Sequence, residues 1–301
     1  MVTFEGASAA LIGAFLWAFS AILFEQLTDQ ISPSILNILK GATAIVFLSL
    51  TSVILGETGF QPFSKQGAIL FASGILGIGI GDTAYFQSVK MIGARRALLL
   101  FTLSPPITAL IALVWLGEKL TFMAWLGIII TVIGVMWVVT EEDTSKSKNN
   151  RTKSLASGVG FGVIAALGQA VGLVLSRSVM TGSGMTALQS AGLRLAAGIT
   201  FILGYRIVKD RKNVISKVSG LNRNTMGLIV LSAFLGTYIC LWLQQIAISN
   251  LSAGIAQTIL STSPVFILPI AGFRGEKISL RAIVGACISI LGVTFVFGLI
   301  G

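Results

Sequence analysis

Ten long apolar runs, each almost free of charge, constrain this chain more than any other feature. Each is about 20 residues long, the length that a helix needs to cross about 30 Å of hydrocarbon. Only 11% of the residues are charged, whereas soluble domains carry about 25%. The sequence therefore predicts an all-α polytopic protein whose partner is a lipid bilayer. The predicted spans are 7–24, 35–55, 67–89, 97–116, 121–140, 155–176, 186–205, 225–248, 254–273 and 282–300.

Residue types that are absent or rare exclude further classes of function. Histidine is absent, so no imidazole can bind a metal or relay a proton. The two cysteines, Cys240 and Cys287, lie inside apolar runs and are interpreted as small buried hydrophobic residues. The basic residues form short islands between spans, not the contiguous basic face that nucleic acid needs. We expect no metal, no other cofactor and no nucleic-acid partner.

The islands of basic charge predict how the chain lies in the membrane. With ten spans, 16 of the 21 Lys and Arg residues fall in the odd-numbered loops, and three fall on the other face. Short basic loops stay in the cytoplasm. We therefore predict a multi-pass protein of the cytoplasmic (inner) membrane with both termini outside.

The two halves of the chain repeat each other. Ser104-Pro105 recurs as Ser263-Pro264 after 159 residues, and the Gly-Glu-Lys run that starts at Gly117 recurs at Gly275 after 158. Five spans per half is an odd number, so the two copies must have opposite orientations. The predicted fold is ten transmembrane helices as two inverted five-helix repeats, at 1–144 and 155–301, with a charged linker at 145–154.

These motifs together resemble a known family. Besides the repeated Ser-Pro and Gly-Glu pairs, the chain carries Gly-Asp-Thr-Ala-Tyr-Phe at 81–86 and Gly93-Ala94. In order and spacing they are similar to the EamA-type branch of the drug/metabolite transporter superfamily. The resemblance implies two five-span repeats around a central cavity that passes small metabolites, amino acids, nucleotide sugars or drugs.

Prolines interrupt the fourth and ninth spans and mark candidate cavity walls. Each proline removes a helical donor and crowds the carbonyl four residues earlier, which predicts free carbonyls at Phe101 and Leu260. The alternative is a packing kink in which Ser104 or Ser263 satisfies the backbone. The predicted kink residues are Pro105, Pro106, Pro264 and Pro269, and the polar candidates beside them are Thr102, Gln257 and Ser261.

Three charges lie inside spans and are the sharpest candidates. Asp82 is the one acid well inside a span, and an ionisable residue there is a functional hypothesis by default. Lys40 lies at a matching depth, so we predict a Lys40–Asp82 ion pair in which each charge offsets the desolvation of the other. Tyr85 and Phe86 share the helical face of Asp82. A purely structural pair, or snorkelling of Lys40, is the competing interpretation.

The third charge, Arg194, lies nearer the middle of the seventh span and needs a partner. Candidates are free carbonyls, Gln169, Gln189 or an anionic part of the substrate.

On the eighth span Tyr238, Trp242 and Gln245 recur at i, i+4 and i+7, a face suited to an amphipathic or cationic ligand. Packing of these rings against neighbouring helices is the alternative.

These features favour a secondary transporter of a small organic metabolite, not an enzyme. No phosphate-binding loop of the G-x-x-x-x-G-K-[ST] type is present, so a gradient would drive transport by alternating access. The rival functions are an integral-membrane enzyme acting on a lipid or isoprenoid substrate, and a passive channel. Such an enzyme usually needs several converging acids or histidines.

Overall fold

In the part of the chain that the structure describes, ten helical segments follow one another where the apolar runs predict them. The computed structural model describes residues 3–57, 62–139, 152–182, 184–219, 221–273 and 279–296. The segments are α1 Phe4–Gln30, α2 Pro33–Ile54, α3 Lys65–Ile92, α4 Ala94–Phe101 with Ser104–Leu116, α5 Phe122–Val139, α6 Thr152–Met180, α7 Ala187–Ser219, α8 Arg223–Asn250, α9 Ala253–Leu260 with Ser263–Phe273, and α10 Leu280–Val296.

The predicted all-α membrane fold is confirmed. Six of the segments, namely α1, α2, α3, α6, α7 and α8, are long and apolar enough to cross a membrane, and α4, α5 and α10 contain shorter apolar helices. The connection predicted between the eighth and ninth spans is also present, since α8 ends at Asn250 and α9 begins at Ala253. Most of the predicted linker at 145–154 lies outside the described residues.

Local capping signals fix where several helices begin. The hydroxyl groups of Thr3 and Ser64 accept the backbone N–H groups of Gly6 and Gly67, and the side chain of Asn222 does the same for Thr225. Such caps satisfy donors that the first helical turn leaves free. α2 begins at a proline, Pro33, whose missing N–H costs nothing at that position.

The Ser-Pro motifs break α4 and α9 at matching places. α4 is interrupted between Phe101 and Ser104, and α9 between Leu260 and Ser263. The carbonyl of Leu260 is not free, because the hydroxyl of Ser263 donates to it over 2.8 Å. Here the alternative interpretation, in which a serine satisfies the backbone, is the correct one.

Three of the predicted kink prolines lie inside helical segments. Pro105 and Pro106 lie in the first turn of the second part of α4, where a missing N–H is tolerated. The second part of α9 continues through Pro269, so the interruption of that helix belongs to the Ser263-Pro264 motif and not to Pro269.

Helices α5 and α10 cross in opposite directions through their repeated glycines. Gly127 lies against Gly292, and Gly134 lies against Gly285. Since 285 and 292 are the counterparts of 127 and 134 at the 158-residue offset, each glycine meets the counterpart of the other. An exchange of this kind is the signature of an approximate twofold axis between two copies, as inverted repeats require.

Each copy also packs its third helix on the first two helices of the other. α3 packs against α6 and α7, and α8 packs against α1 and α2. The two repeats therefore interlock, and the space between α3 and α8 is bounded by helices from both.

The crossing of α5 and α10 leaves no room for side chains at its glycines. A Cβ at Gly134 would lie 2.8 Å from the carbonyl oxygen of Gly285, so Gly134→Ala overpacks the contact. Gly160 on α6 has no atom within 4 Å of its Cβ position and provides the control, Gly160→Ala. We expect the free energy of unfolding in detergent to be about 2 kcal/mol lower for Gly134→Ala than for Gly160→Ala. Equal values would contradict the packing described.

Candidate functional site

A cavity lies between the two repeats, at the approximate twofold axis. The space open to the centres of water molecules is about 80 Å³. Four pairs of lining residues are separated by 159 positions: Ile78 and Thr237, Asp82 and Leu241, Tyr85 and Gln244, Phe101 and Leu260. Equivalent positions of the two copies therefore face one shared space. The other lining residues are Trp17, Lys40, Gln169, Arg194, Leu195, Gly236, Cys240 and Gln257.

The cavity wall includes the predicted ion pair. Nζ of Lys40 lies 2.6 Å from Oδ2 of Asp82; the lysine is buried, while 23% of the aspartate side chain is exposed. The ammonium group also lies 4.9 Å from the ring centroid of Phe86 and 5.6 Å from that of Phe24. Cation–π contacts of this kind add to the stabilisation of a desolvated lysine. The ion pair is confirmed, and whether it acts in transport stays a prediction.

A change of helical pitch places Asp82 in the wall. Residues Ile75–Asp82 of α3 form π-helical turns, which occur often at functional sites. Wider turns weaken the regular hydrogen bonding of the helix, and Asn37 of α2 compensates: its Nδ2 donates to the carbonyl of Ile78 and to the hydroxyl of Thr83, both over 2.9 Å. α8 has the matching feature at Phe234–Ile239, which begins 159 residues after that of α3.

Arg194 has a partner that the sequence interpretation did not name. Its Nη1 donates to Oε1 of Gln244 over 3.2 Å, and its Nε has no hydrogen-bond partner among the described residues although the side chain is fully buried. The two glutamines predicted as partners bind elsewhere. Gln169 donates to Gln257 over 3.4 Å, and Gln189 accepts the backbone N–H of Thr186 at the start of its own helix.

Six of the twelve predicted cavity residues line the cavity: Lys40, Asp82, Tyr85, Gln169, Arg194 and Gln257. Three others lie just behind the wall. Phe86 is fully buried under Lys40, Thr102 is buried beside the break in α4, and Ser261 accepts the side-chain amide of Gln257 over 3.4 Å.

The predicted ligand-binding face of α8 lies away from the cavity, where its side chains pack against neighbouring helices. The hydroxyl of Tyr238 lies 2.6 Å from that of Thr51, and the Tyr238 ring stacks with Trp242 and packs on Phe47. Gln245 is buried and accepts the hydroxyl groups of Ser176 and Ser190 over 2.6 and 2.8 Å. None of the three lines the cavity.

The helical pitch of α8 explains why these three side chains lie away from the cavity. The π-helical turns at Phe234–Ile239 shift the register that an i, i+4, i+7 pattern assumes. Thr237, Cys240 and Gln244 face the cavity instead, and the sequence interpretation missed Thr237 and Gln244. The 159-residue offset could have found Gln244, because it leads there from Tyr85.

Aromatic side chains form one continuous part of the wall. The ring centroids of Trp17 and Tyr85 are 6.1 Å apart, and those of Tyr85 and Phe101 are 5.5 Å apart. Rings at these spacings attract one another and present apolar surface to the cavity.

Outside the cavity, Glu118 of the first Gly-Glu motif forms hydrogen bonds with the ends of two other helices. Its Oε1 accepts Nε of Arg177 at the end of α6, and its Oε2 accepts the backbone N–H of Ala253 at the start of α9, both over 2.8 Å. Arg177 also donates to the carbonyls of Ile248 and Ser249 at the end of α8. We call this set of contacts the Glu118 latch. The second Gly-Glu pair, Gly275-Glu276, lies outside the described residues.

Comparison with known proteins agrees with the two-repeat architecture. The EamA-like transporter family matches this chain twice, over residues 4–140 and 156–298. The chain belongs to the EamA-like transporter family. The resemblance seen in the motifs is thereby confirmed, and the protein is a membrane transporter of this family.

Two curated relatives carry similar names. An "uncharacterized transporter in cobO 3′ region" from a Sinorhizobium species is 28% identical over 131 residues, which cover 42% of this chain and 91% of the relative. An "uncharacterized transporter" from Clostridium kluyveri is 22% identical over 130 residues, or 43% of this chain and 42% of the relative. Each match is about one repeat long.

A solved structure shares the fold over nearly the whole chain. It is titled "Crystal structure of protein", covers 97% of both chains with a TM-score of 0.74, and is 16% identical in sequence. At this identity the likeness extends to the fold alone.

The Lys40–Asp82 pair should show strong thermodynamic coupling. Lys40→Met leaves the partly buried carboxylate without its counter-charge, so we expect the free energy of unfolding in detergent to fall by about 3 kcal/mol. Asp82→Asn in the same chain removes the unpaired charge, and the double variant should be more stable than Lys40→Met alone. Additive losses from the two substitutions would show that the pair does not stabilise the fold.

Proposed function

We propose that this chain is a secondary transporter that moves a small organic metabolite by alternating access, driven by a gradient. The observation that supports it best is the shared cavity. Lys40 and Asp82 of the first repeat and Arg194 and Gln244 of the second face one space, and in inverted-repeat transporters the binding site lies between the repeats.

The twofold relation supports a mechanism. In inverted repeats the two copies exchange conformations, so the contacts that close one face in one state have counterparts that close the other face in the opposite state. The Glu118 latch is one such closure, because it joins α6, α8 and α9 near the loop between α4 and α5. The pair Gly275-Glu276 occupies the corresponding sequence position, and the predicted topology puts that position at the other face of the membrane.

The distribution of charge supports a location. Sixteen basic residues lie between the predicted spans on the side of the odd-numbered loops, so we place that side in the cytoplasm, both termini outside, and the protein in the cytoplasmic membrane.

Countertransport separates a transporter from a channel or an enzyme. Purified protein in sealed liposomes is tested with a radiolabelled panel of amino acids, carboxylates and amines. For a substrate, preloading the vesicles with the unlabelled compound should accelerate uptake of the label, because a loaded carrier returns faster than an empty one. Uptake that preloading leaves unchanged would indicate a channel, and a chemically altered label would indicate an enzyme.

Asp82 is the candidate for coupling transport to protons, because substrate binding could separate it from Lys40 and allow it to be protonated. Asp82→Asn cannot take up a proton, so uptake should lose its dependence on an imposed pH gradient while exchange without a gradient continues. Initial rates at equal and unequal pH across the vesicle membrane measure this. Gradient-driven uptake that is unchanged in the variant would exclude Asp82 as the coupling group.

Breaking the Glu118 latch should open the cavity more often. Cys240 lines the cavity and provides a natural probe once the exposed Cys287 is replaced by Ser. In that background we expect Glu118→Ala to raise the rate of Cys240 labelling by a maleimide several-fold, because the acid holds Arg177 and Ala253. Lys119→Ala removes an exposed neighbour in the same loop and is the control. Identical rates for the two variants would show that the latch does not control access.

A further inference from the structure

The charges that face the cavity do not balance. Its wall holds two cations, Lys40 and Arg194, and one acid, Asp82. The acid is already paired with Lys40 over 2.6 Å. Among the described residues, Arg194 is hydrogen-bonded to the neutral amide of Gln244, and the Nε of its fully buried side chain has no partner. The cavity wall therefore carries one positive charge in excess.

The repeat shows where this imbalance comes from. Lys40 lies seven residues after Pro33, where α2 begins, and Arg194 lies seven residues after Ala187, where α7 begins. The two cations thus lie at the same distance from the start of corresponding helices, although they are 154 residues apart and not 159. The acid does not recur, because the counterpart of Asp82 at the 159-residue offset is Leu241. The second copy has kept the cation and has an apolar side chain in place of its acid.

A buried cation of this kind has a high affinity for an anion. Desolvating a charge costs several kcal/mol unless an opposite charge and hydrogen bonds replace the lost water. An arginine can bind a carboxylate through two parallel hydrogen bonds. The same cavity also offers the hydroxyl of Thr237, which is buried and has no hydrogen-bond partner among the described residues.

We propose that the substrate is a small monocarboxylate whose anionic group binds Arg194 in the place that a second acid would occupy. This inference rests on the proposed transport function and names its substrate class. A monoanion brings the formal charge of the cavity wall to zero, whereas an amine would add to the excess of positive charge.

The aromatic part of the cavity wall indicates what the rest of the substrate, apart from its carboxylate, is like. Trp17, Tyr85 and Phe101 present a continuous aromatic surface, which suits an apolar or aromatic group. The space open to the centres of water molecules is about 80 Å³, and this limits the size of the compound that fits. The substrate is therefore small.

Matched ligands test the charge requirement. The full-length protein in detergent is heated with phenylacetate, benzoate or hexanoate, and with the corresponding amide of each. A ligand that binds the folded state raises its Tm, so we expect a concentration-dependent rise with at least one carboxylate and a much smaller one with its amide. The proposal is overturned if no carboxylate raises the Tm more than its amide does.

Variants of Gln244 test the site without removing Arg194. Gln244→Glu supplies the missing acid from within the chain, so the ligand-free Tm should rise and the affinity for the carboxylate should fall by about 10- to 100-fold. Gln244→Met removes the amide without adding charge, so it should lower the affinity for the carboxylate much less than Gln244→Glu does. If Gln244→Glu binds the carboxylate as well as the natural protein does, Arg194 is not the anion site.

Countertransport distinguishes failure of this inference from failure of the proposed function. If a neutral or cationic member of the panel shows countertransport and no carboxylate binds, transport stands and the anion site is wrong. Suppose instead that a carboxylate binds, that Gln244→Glu weakens this binding, and that the carboxylate shows no countertransport. The anion site then stands, and the transport proposal is wrong.

Discussion

Hydrocarbon offers no hydrogen bonds, and this constraint governs nearly every polar contact in the molecule. Where a helix departs from regular α-helical pitch inside the bilayer, another group must satisfy the backbone. Asn37 does so for the carbonyl of Ile78 in the π-helical turns of α3, and Ser263 does so for Leu260 at the break in α9. The irregular segments are therefore held by specific side chains, and one of them, Ile75–Asp82, brings Asp82 to the cavity.

Much of the fold could be predicted because the lack of hydrogen bonds in hydrocarbon restricts which sequences can form a span. A span must be long, apolar and nearly uncharged, so ten such runs define ten helices. The repeated motifs at a constant offset then define the two copies. The Lys40–Asp82 pair could also be predicted, since two isolated charges at one depth have few other ways to reduce their desolvation.

The cavity wall was harder to predict, because it depends on helical register. A regular helix places Tyr238, Trp242 and Gln245 on one face, but the π-helical turns that include Tyr238 direct that face towards α2 and α7. Thr237 and Gln244 face the cavity in their place. Periodicity cannot detect such a change of pitch. The repeat could have found Gln244, because Tyr85 leads to it at the 159-residue offset.

The meeting of α5 and α10 also has a consequence for how such a chain evolves after its gene is duplicated. Thr131 and Ser289 are counterparts at the 158-residue offset, and the hydroxyl of Thr131 donates to the carbonyl of Ser289 over 3.5 Å at the crossing. A residue on the axis has its own duplicate as its neighbour, so a mutation in either copy alters the surroundings of the other. Selection therefore ties these positions together, whereas cavity positions such as Asp82 and Leu241 are free to diverge. The axis preserves the ancestral symmetry, and the cavity is where a duplicated half can acquire a specificity of its own.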